Sequence, residues 1–307
     1  MIRHLTAEDR AQTVAFLQKS RPYNLYMLGN IESLGMVHEL SEFWGDWNTS
    51  DRAQEAQNHK PKLRAVLNRY MNGWTIYGDV DADWVGLAAI IDSHDVDAKR
   101  LQDNPNGVES ILPYIQQYQA TSVKEETLMA LGAQDFQPQK FSPSKPATGI
   151  SNDQTMIVRR ATMSDLPRLI EFYADAGHMT RTSKAIERPL RDTRLWIAAL
   201  LKTKECNQPS EAATSDDNCK EITIVSAALS NAETTELAMI GGVYTHPNWR
   251  GLGLSQSVCS ALCDELFTLG KQPVLYWDTP EEGAVYRRLG FHLVGQWRSV
   301  WLERTDR

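Results

Sequence analysis

The hydrophobic pattern changes period along this chain, and the changes mark its elements. From Leu254 an apolar residue returns at Val258, Leu262, Leu266 and Leu269, the three- and four-residue spacing of a helix with one buried stripe. The segments before it, Glu221–Leu229 (EITIVSAAL) and Glu236–Tyr244 (ELAMIGGVY), are short, apolar and β-rich and read as strands, as does Val274–Asp278 (VLYWD) after it. In the first half, Phe43–Trp47, Trp74–Gly78 and Val85–Ile91 are expected strands, and Ala7–Ser20 and Tyr23–Leu34 expected helices. Leu166–Ala176 and Arg191–Lys202 read as helices too, the latter from Leu195, Ala198, Ala199 and Lys202 along one face.

Between the halves the pattern lapses. Gln137–Thr155 (QPQKFSPSKPATGISNDQT) is rich in Pro, Ser and other polar residues, which divides the chain into residues 1–140, a linker at 141–155 and residues 156–307. Thr49–Lys62 and the Ser/Asn/Asp/Glu-rich Glu205–Lys220 read as insertions. Both halves open alike: Ile2-Arg3-His4-Leu5-Thr6-Ala7-Glu8-Asp9 matches Val158-Arg159-Arg160-Ala161-Thr162-Met163-Ser164-Asp165 at the aliphatic, Arg, Thr and Asp positions. Each copy predicts a short strand, a Thr N-cap and a carboxylate in the first helical turn, where the helix dipole favours it. The repetition suggests a duplicated fold.

The 307 residues suit two domains, and 42% hydrophobic content can fill a core in each. A net charge of −7 without any Lys/Arg-dense block argues against a nucleic-acid partner. Neither a signal peptide nor a run of ~18 apolar residues is visible, so no membrane partner and a cytoplasmic location are expected. The cysteines (Cys206, Cys219, Cys259, Cys263) include no CxxC pair and fit a reduced protein. Cys206 and Cys219 read as free loop thiols rather than a bridge or half a metal site, and His4, His38, His59, His94, His178 and His292 show no metal-ligand spacing.

The chemistry concentrates in Gly241–Gly270 (GGVYTHPNWRGLGLSQSVCSALCDELFTLG). A strand ends near Thr245, Pro247 stops it, and Arg250-Gly251-Leu252-Gly253-Leu254-Ser255 turns tightly into the helix. Glycines let backbone approach a ligand, and the helix start presents free N–H groups and the positive dipole end, a natural seat for a pyrophosphate. A dinucleotide-binding GxGxxG followed by an acidic residue, or a P-loop Gly-Lys-Ser/Thr, is not present.

This turn resembles the Arg/Gln-x-x-Gly-x-Gly/Ala signature of the GNAT acyltransferases. The lead-in Val243-Tyr244-Thr245-His246-Pro247 and the later Ala284-Val285-Tyr286-Arg287-Arg288-Leu289-Gly290-Phe291 resemble that family's motifs in the same order. Ser255, Thr279 and Glu282 depart from the usual pattern. The whole layout, with Pro22–Glu32 in the first half, also resembles bacterial two-domain acetyltransferases. The resemblance implies an α/β (α+β) fold with a mixed, mostly antiparallel twisted sheet flanked by helices. It implies a complete domain at 156–307 and a degenerate copy at 1–140.

The same resemblance implies acetyl-CoA as acyl donor, no metal, and a primary amine of a small-molecule or amino-acid-like acceptor, attacked directly. The protein would act as a monomer or homodimer. Val243, Tyr244 and Thr245 would pair through their backbone with the pantetheine arm. Arg250, Gly251, Leu252, Gly253, Leu254, Ser255 and Gln256 would cradle the pyrophosphate, with Thr279 a further cofactor contact. A backbone N–H near Gly242–Val243 would face the oxyanion, and Tyr286 would protonate the leaving thiolate. The base stays open: Glu233 and Glu236 read as solvated strand-end charges and His246 as a turn residue.

Trp44, Trp47, Trp74, Trp84, Trp249, Trp297 and Trp301 read as core or domain-interface aromatics, and Trp277 as the one placed to meet a substrate. In the first half the Trp84–Ile91 strand would run into Asp92, Asp95 and Asp97, carboxylates that repel a pyrophosphate. A CoA-sensing protein without turnover, or an acyltransferase for longer chains, are the alternatives.

Overall fold

The computed structural model describes residues 1–48, 61–141, 154–174, 176–203 and 220–305. Most of the expected insertions and linker, with Cys206 and Cys219, lie outside the described residues. The rest divides into two compact units, one of residues 1–129, 276–278 and 293–307, the other of residues 130–275 and 279–292.

Unit 1 is built from β1 (Ile2–His4), α1 (Arg10–Leu17), α2 (Leu25–Leu34), β2 (Ser41–Asn48), β3 (Lys62–Tyr70), β4 (Gly73–Gly78), α3 (Trp84–Ser93), β5 (Arg100–Asp103), α4 (Pro105–Ile111) and β6 (Tyr118–Ala130). Unit 2 follows the same order: β7 (Gln154–Arg160), α5 (Leu166–Ala174), α6 (Ser183–Arg191), β8 (Leu195–Thr203), β9 (Lys220–Glu233), β10 (Leu237–Thr245), α7 (Leu254–Thr268), β11 (Gln272–Trp277) and α8 (Pro280–Arg288). The last strand, β12 (His292–Arg304), follows α8 in the chain, yet its residues from Leu293 onward belong to unit 1. Strand order in unit 1 is β1-β2-β3-β4-β5-β12-β6, and in unit 2 β11-β10-β9-β8-β7. All pairs from β1 to β4 and from β7 to β10 are antiparallel, whereas β4/β5 and β10/β11 are parallel. The fold is a mixed, mostly antiparallel α/β architecture occurring twice.

The repeated opening has a repeated structure. Arg3 grips Asp9 with two hydrogen bonds of 2.7 Å, and Arg159 grips Asp165 in the same way. In each copy the aspartate also accepts from the Thr6 or Thr162 N–H at 2.9 Å, closing a capping box at the end of the first strand. Identical hydrogen bonding at equivalent points is the strongest local sign of duplication.

In unit 1 the period-two alternation of β2 and β3 feeds two cores. Phe43, Trp47, Leu63 and Val66 pack with α1 and α2 residues such as Phe16, Leu17 and Ile31. Trp44, Ala65 and Leu67 pack with Leu87, Ala88 and Ile91 of α3 and with Val108 and Ile111 of α4. Val300 and Leu302 of β12 join this second core.

Two sequence expectations are corrected. Arg191–Lys202, read as a helix, ends α6 and then forms strand β8 between β7 and β9. Leu195, Ile197, Ala198, Ala199 and Leu200 are all buried, so a strand covered on both faces shows no alternation and mimics a helical run. Val85–Ile91, read as a strand, is helix α3, started by Asp83, whose carboxylate accepts the Gly86 N–H at 2.9 Å. Leu87, Ala88 and Ile91 face the core while Val85 is exposed, a helical face too short to stand out in the sequence. Among the described residues, no helix is long and apolar enough to cross a membrane.

Asp103, at the end of β5, is fully buried. Its Oδ1 accepts from the Asn104 N–H and amide, at 2.6 and 3.0 Å, and its Oδ2 has no hydrogen-bond partner. Burial lifts its carboxyl well above the ordinary carboxylate range, against those two hydrogen bonds. A raised folded-state pKa is compatible with full stability only below the unfolded value, and the penalty grows as pH rises above it. Asp103→Asn, which keeps the Oδ1 acceptor, is therefore expected to raise Tm at pH 7, with the gain shrinking as pH falls toward 4. Thermal melts across that range check it.

Candidate functional site

Strands β10 and β11 pair in parallel at Leu237↔Gln272, Ala238↔Pro273 and Met239↔Val274, and the ladder stops there. Beyond that point β10 is distorted against β9, with register shifts at Met239/Ile240 and between Gly241 and Tyr244. Gly242 sits in this bulge at φ +58°, a conformation that favours glycine. Space decides against a side chain as well: a Cβ on Gly242 would stand 2.9 Å from the Arg181 guanidinium and from Leu229. The buried Tyr173 hydroxyl of α5 donates to the Gly242 carbonyl at 2.6 Å and fixes the bulge from one face. Past the last rung, the edge of β10 from Ile240 to Thr245 is no longer laddered to β11. Val243, Tyr244 and Thr245 lie on this stretch. Tyr244 buries its ring against Phe172 and Tyr173, leaving backbone as what it offers a ligand.

The chain then turns. His246 accepts the Asn248 N–H on Nδ1, Pro247–Trp249 makes a single 3-10 turn, and the exposed Arg250 donates from Nε to the Thr245 carbonyl at 3.2 Å. Arg250 thus braces the turn. Gly251 and Gly253 take φ +78° and +75°, and Gly253 is the N-cap of α7. No side chain caps this helix. A fifteen-residue helix therefore presents its first N–H groups, around Leu254, Ser255 and Gln256, and its positive dipole end without a built-in acceptor. A Cβ on Gly251 would meet nothing within 4 Å, and one on Gly253 only Gln256 Oε1 at 3.7 Å, so the space before the helix is open. Leu254 is buried and anchors the first turn, while Leu252 is half-buried. The arrangement suits a phosphorylated ligand.

Tyr286 of α8 is 8% exposed and packs edge-on against Phe291 at 6.0 Å. Burial, with Cys259, Glu282 and Cys263 nearby, lifts its phenol well above the ordinary value, so it stays protonated at neutral pH. Burial also pushes the Cys259 thiol up to about 12 and the Cys263 thiol well above its usual range. Both are free and buried, and neither is a ready nucleophile. Thr279 caps α8, its Oγ1 accepting the Glu282 N–H at 3.4 Å.

Glu233 is not a solvated strand end. Ser230 Oγ donates to it at 2.6 Å, Arg194 binds it, and Lys271 lies 3.2 Å away. Burial pushes its carboxyl up, but these partners hold it below the ordinary range. It pairs with Ala238, four residues or roughly 13 Å of strand from Gly242. Glu236 and His246 are exposed. Trp277 belongs to unit 1, where its indole donates to Met129 Sδ at 3.0 Å. Tyr173 and Arg181 are the bulge residues that no sequence motif marked.

Unit 1 has the same strand geometry with different contents. β4 and β5 pair in parallel at Gly73↔Arg100, Trp74↔Leu101 and Thr75↔Gln102 and then part. Here α4 packs on both strands, and the Ile76 carbonyl lies 3.0 Å from where a Cβ on Gly107 would be. The N-terminus of α3 is capped by the Asp83 carboxylate, with Asp79 and Asp81 just upstream. Asp92 sits in the last turn of α3 and Asp95 and Asp97 follow that helix rather than a strand, so the carboxylates at and before the helix start are Asp79, Asp81 and Asp83.

Residues 223–302 match the family model described as FR47-like protein. No curated protein matches the chain by sequence. Solved structures do match by fold. An acetyltransferase from the GNAT family of Colwellia psychrerythraea covers 99% of this chain and 100% of its own, at 11% identity and TM-score 0.51. A tandem GNAT protein from the clavulanic acid biosynthesis pathway covers 100% and 99%, at 11% identity and TM-score 0.52. A Drosophila protein covers 98% of both chains, at 11% identity and TM-score 0.59. The fold is the GNAT fold in tandem, and residues 223–302 within it are similar to the FR47-like family.

Proposed function

We propose that this tandem GNAT protein is an acyltransferase that moves an acetyl group from acetyl-CoA to a primary amine, with the reaction confined to unit 2. The observation that carries the reading is the uncapped start of α7, reached through two left-handed glycines, following directly on the strand that parts from β11. That start would receive the pyrophosphate, with Arg250 to Gln256 around it. The freed edge at Val243–Thr245 would pair with the pantetheine arm, and the parting strands leave the thioester room near Gly242.

In the transfer, the amine lone pair forms an N–C bond to the thioester carbonyl. The oxyanion of the tetrahedral intermediate faces a backbone N–H of the Gly242–Val243 bulge. Collapse breaks the C–S bond, and the thiolate takes the Tyr286 phenolic proton. The nitrogen loses its proton to water, and the tyrosinate regains one from solvent. The raised thiol pKa values of Cys259 and Cys263 favour this direct attack over a covalent acyl-cysteine route, and free buried thiols fit a reducing, cytoplasmic setting. Thiol release from acetyl-CoA, followed across a panel of amines, tests the activity. Binding without release for any amine would leave a CoA sensor, and stronger binding of longer acyl-CoAs would reassign the donor.

One acetyl-CoA is expected per chain. In unit 1 the Asp83 carboxylate occupies the helix start that would seat the pyrophosphate, and α4 packs where the strands part. Calorimetric titration should give a stoichiometry near one, and a value near two would overturn the reading of unit 1 as degenerate.

A further inference from the structure

The Arg181 guanidinium lies at the bulge and takes no part in the transfer chemistry. It enters from the loop between α5 and α6, and its Nε and Nη2 lie against the Cα of Gly242, at 2.9 Å from the position a Cβ there would take. Its Cζ stands 5.9 Å from the centre of the Tyr173 ring. Nε is buried and has no hydrogen-bond partner. Among the described residues, no carboxylate pairs with this arginine and no carbonyl accepts from it. Arg181 is half-buried, yet its buried Nε donor is unmet, which is costly unless a ligand supplies the acceptor, and a guanidinium normally finds a carboxylate or phosphate. Its planar fork of donors suits two-point binding of a carboxylate better than any single oxygen. Elsewhere in this unit Arg159 holds Asp165 with two bonds, and Arg194, whose Nε likewise makes no hydrogen bond, pairs with the carboxylates of Glu233 and Glu265.

We propose that Arg181 is the specificity residue for the acceptor and binds an acceptor carboxylate, so that the acceptor is an amino acid or a close amino-carboxylate. This rests on the acetyl-transfer reading of the same site. The carbonyl to be attacked would lie beside the Gly242–Val243 backbone, and Arg181 packs on Gly242 itself. An amine with its carboxylate one or two carbons away therefore reaches both the thioester and the guanidinium. The Tyr173 hydroxyl is spent on the Gly242 carbonyl and does not compete for the acceptor.

The test uses matched acceptors, amino acids and the amines lacking their carboxylate, with the full-length protein. Wild type should acetylate the amino acids with kcat/KM at least about a hundredfold above the matched amines, a ratio in keeping with two-point recognition of a polar group. Arg181→Gln should raise KM for the amino acids and collapse that ratio toward one, leaving turnover of the plain amines and acetyl-CoA affinity unchanged. Arg181→Lys, which keeps the charge without the fork, should restore part of the preference. If Arg181→Gln depresses both acceptor classes equally through kcat, the arginine polarises the thioester or holds the bulge, and the proposal is wrong. A wild type that acetylates plain amines as well as amino acids also overturns it. Absence of acetyl-CoA binding or of turnover with every amine would instead sink the underlying reading, so the two failures are distinguishable.

Discussion

Replacing Tyr286 with phenylalanine should lower kcat by about 10²–10⁴, the usual cost of removing a general acid, while leaving acetyl-CoA affinity little changed. The substitution removes only the hydroxyl. The ring remains against Phe291, and α8 keeps its Thr279 cap, so the fold has no reason to respond. The role requires a phenol that stays protonated until the thiolate forms. Burial supplies that condition, aided by Cys259, Glu282 and Cys263, which all disfavour a tyrosinate. Because the phenol is raised above its ordinary value, its ionisation should not produce an alkaline fall in kcat between pH 7 and 9. Steady-state kinetics of both proteins across that range, with calorimetry for the donor, checks the claim. A variant with unaltered kcat would return Tyr286 to packing alone.

What could be read in the sequence follows from how local each signal is. The turn at Arg250–Ser255, helix α7 and the α8 motif were visible because glycine placement, a helical stripe and a Tyr-to-Gly-Phe spacing lie within short windows of chain. The duplicated Arg-Thr-Asp opening was legible for the same reason: its hydrogen bonds span three to six residues. Apolar runs were less secure. Leu195–Thr203 and Trp84–Ser93 are both continuous and apolar, and one is a doubly covered strand while the other is a helix. Only the neighbours decide, β7 and β9 in the first case and the Asp83 cap in the second.

The site was half legible. The glycine turn before α7 announces itself, but Tyr173 meets Gly242 across a separation of 69 residues, and nothing in the sequence ties the two together. The same holds for Arg181 and for the membership of the last strand in unit 1. Glu233 looked like a free strand-end charge because its partners Arg194 and Lys271 come from elsewhere in the chain.

Gly253→Val should abolish measurable acetyl-CoA binding, a loss of at least about a hundredfold or about 2.8 kcal/mol at 1.4 kcal/mol per decade. Two effects act together. Gly253 holds φ +75°, where an L residue costs about 1–2 kcal/mol and a β-branched one more, so valine pulls the turn away from the geometry that aims the α7 N–H groups. If the turn is kept instead, the new methyl groups enter the open space before the helix, where only Gln256 Oε1 at 3.7 Å now stands and where the pyrophosphate would lie. The interior should be indifferent to the change. Gly253 is outside the core, and Leu254, Val258, Leu262 and Leu266 hold α7 in place below it. Gly253→Ala should give an intermediate loss, since it strains the same φ with a single added carbon. Calorimetry on variants whose circular dichroism and melting match wild type makes the comparison. Wild-type affinity in a folded Gly253→Val protein would remove this turn from the cofactor site, and with it the observation on which the acetyltransferase reading rests.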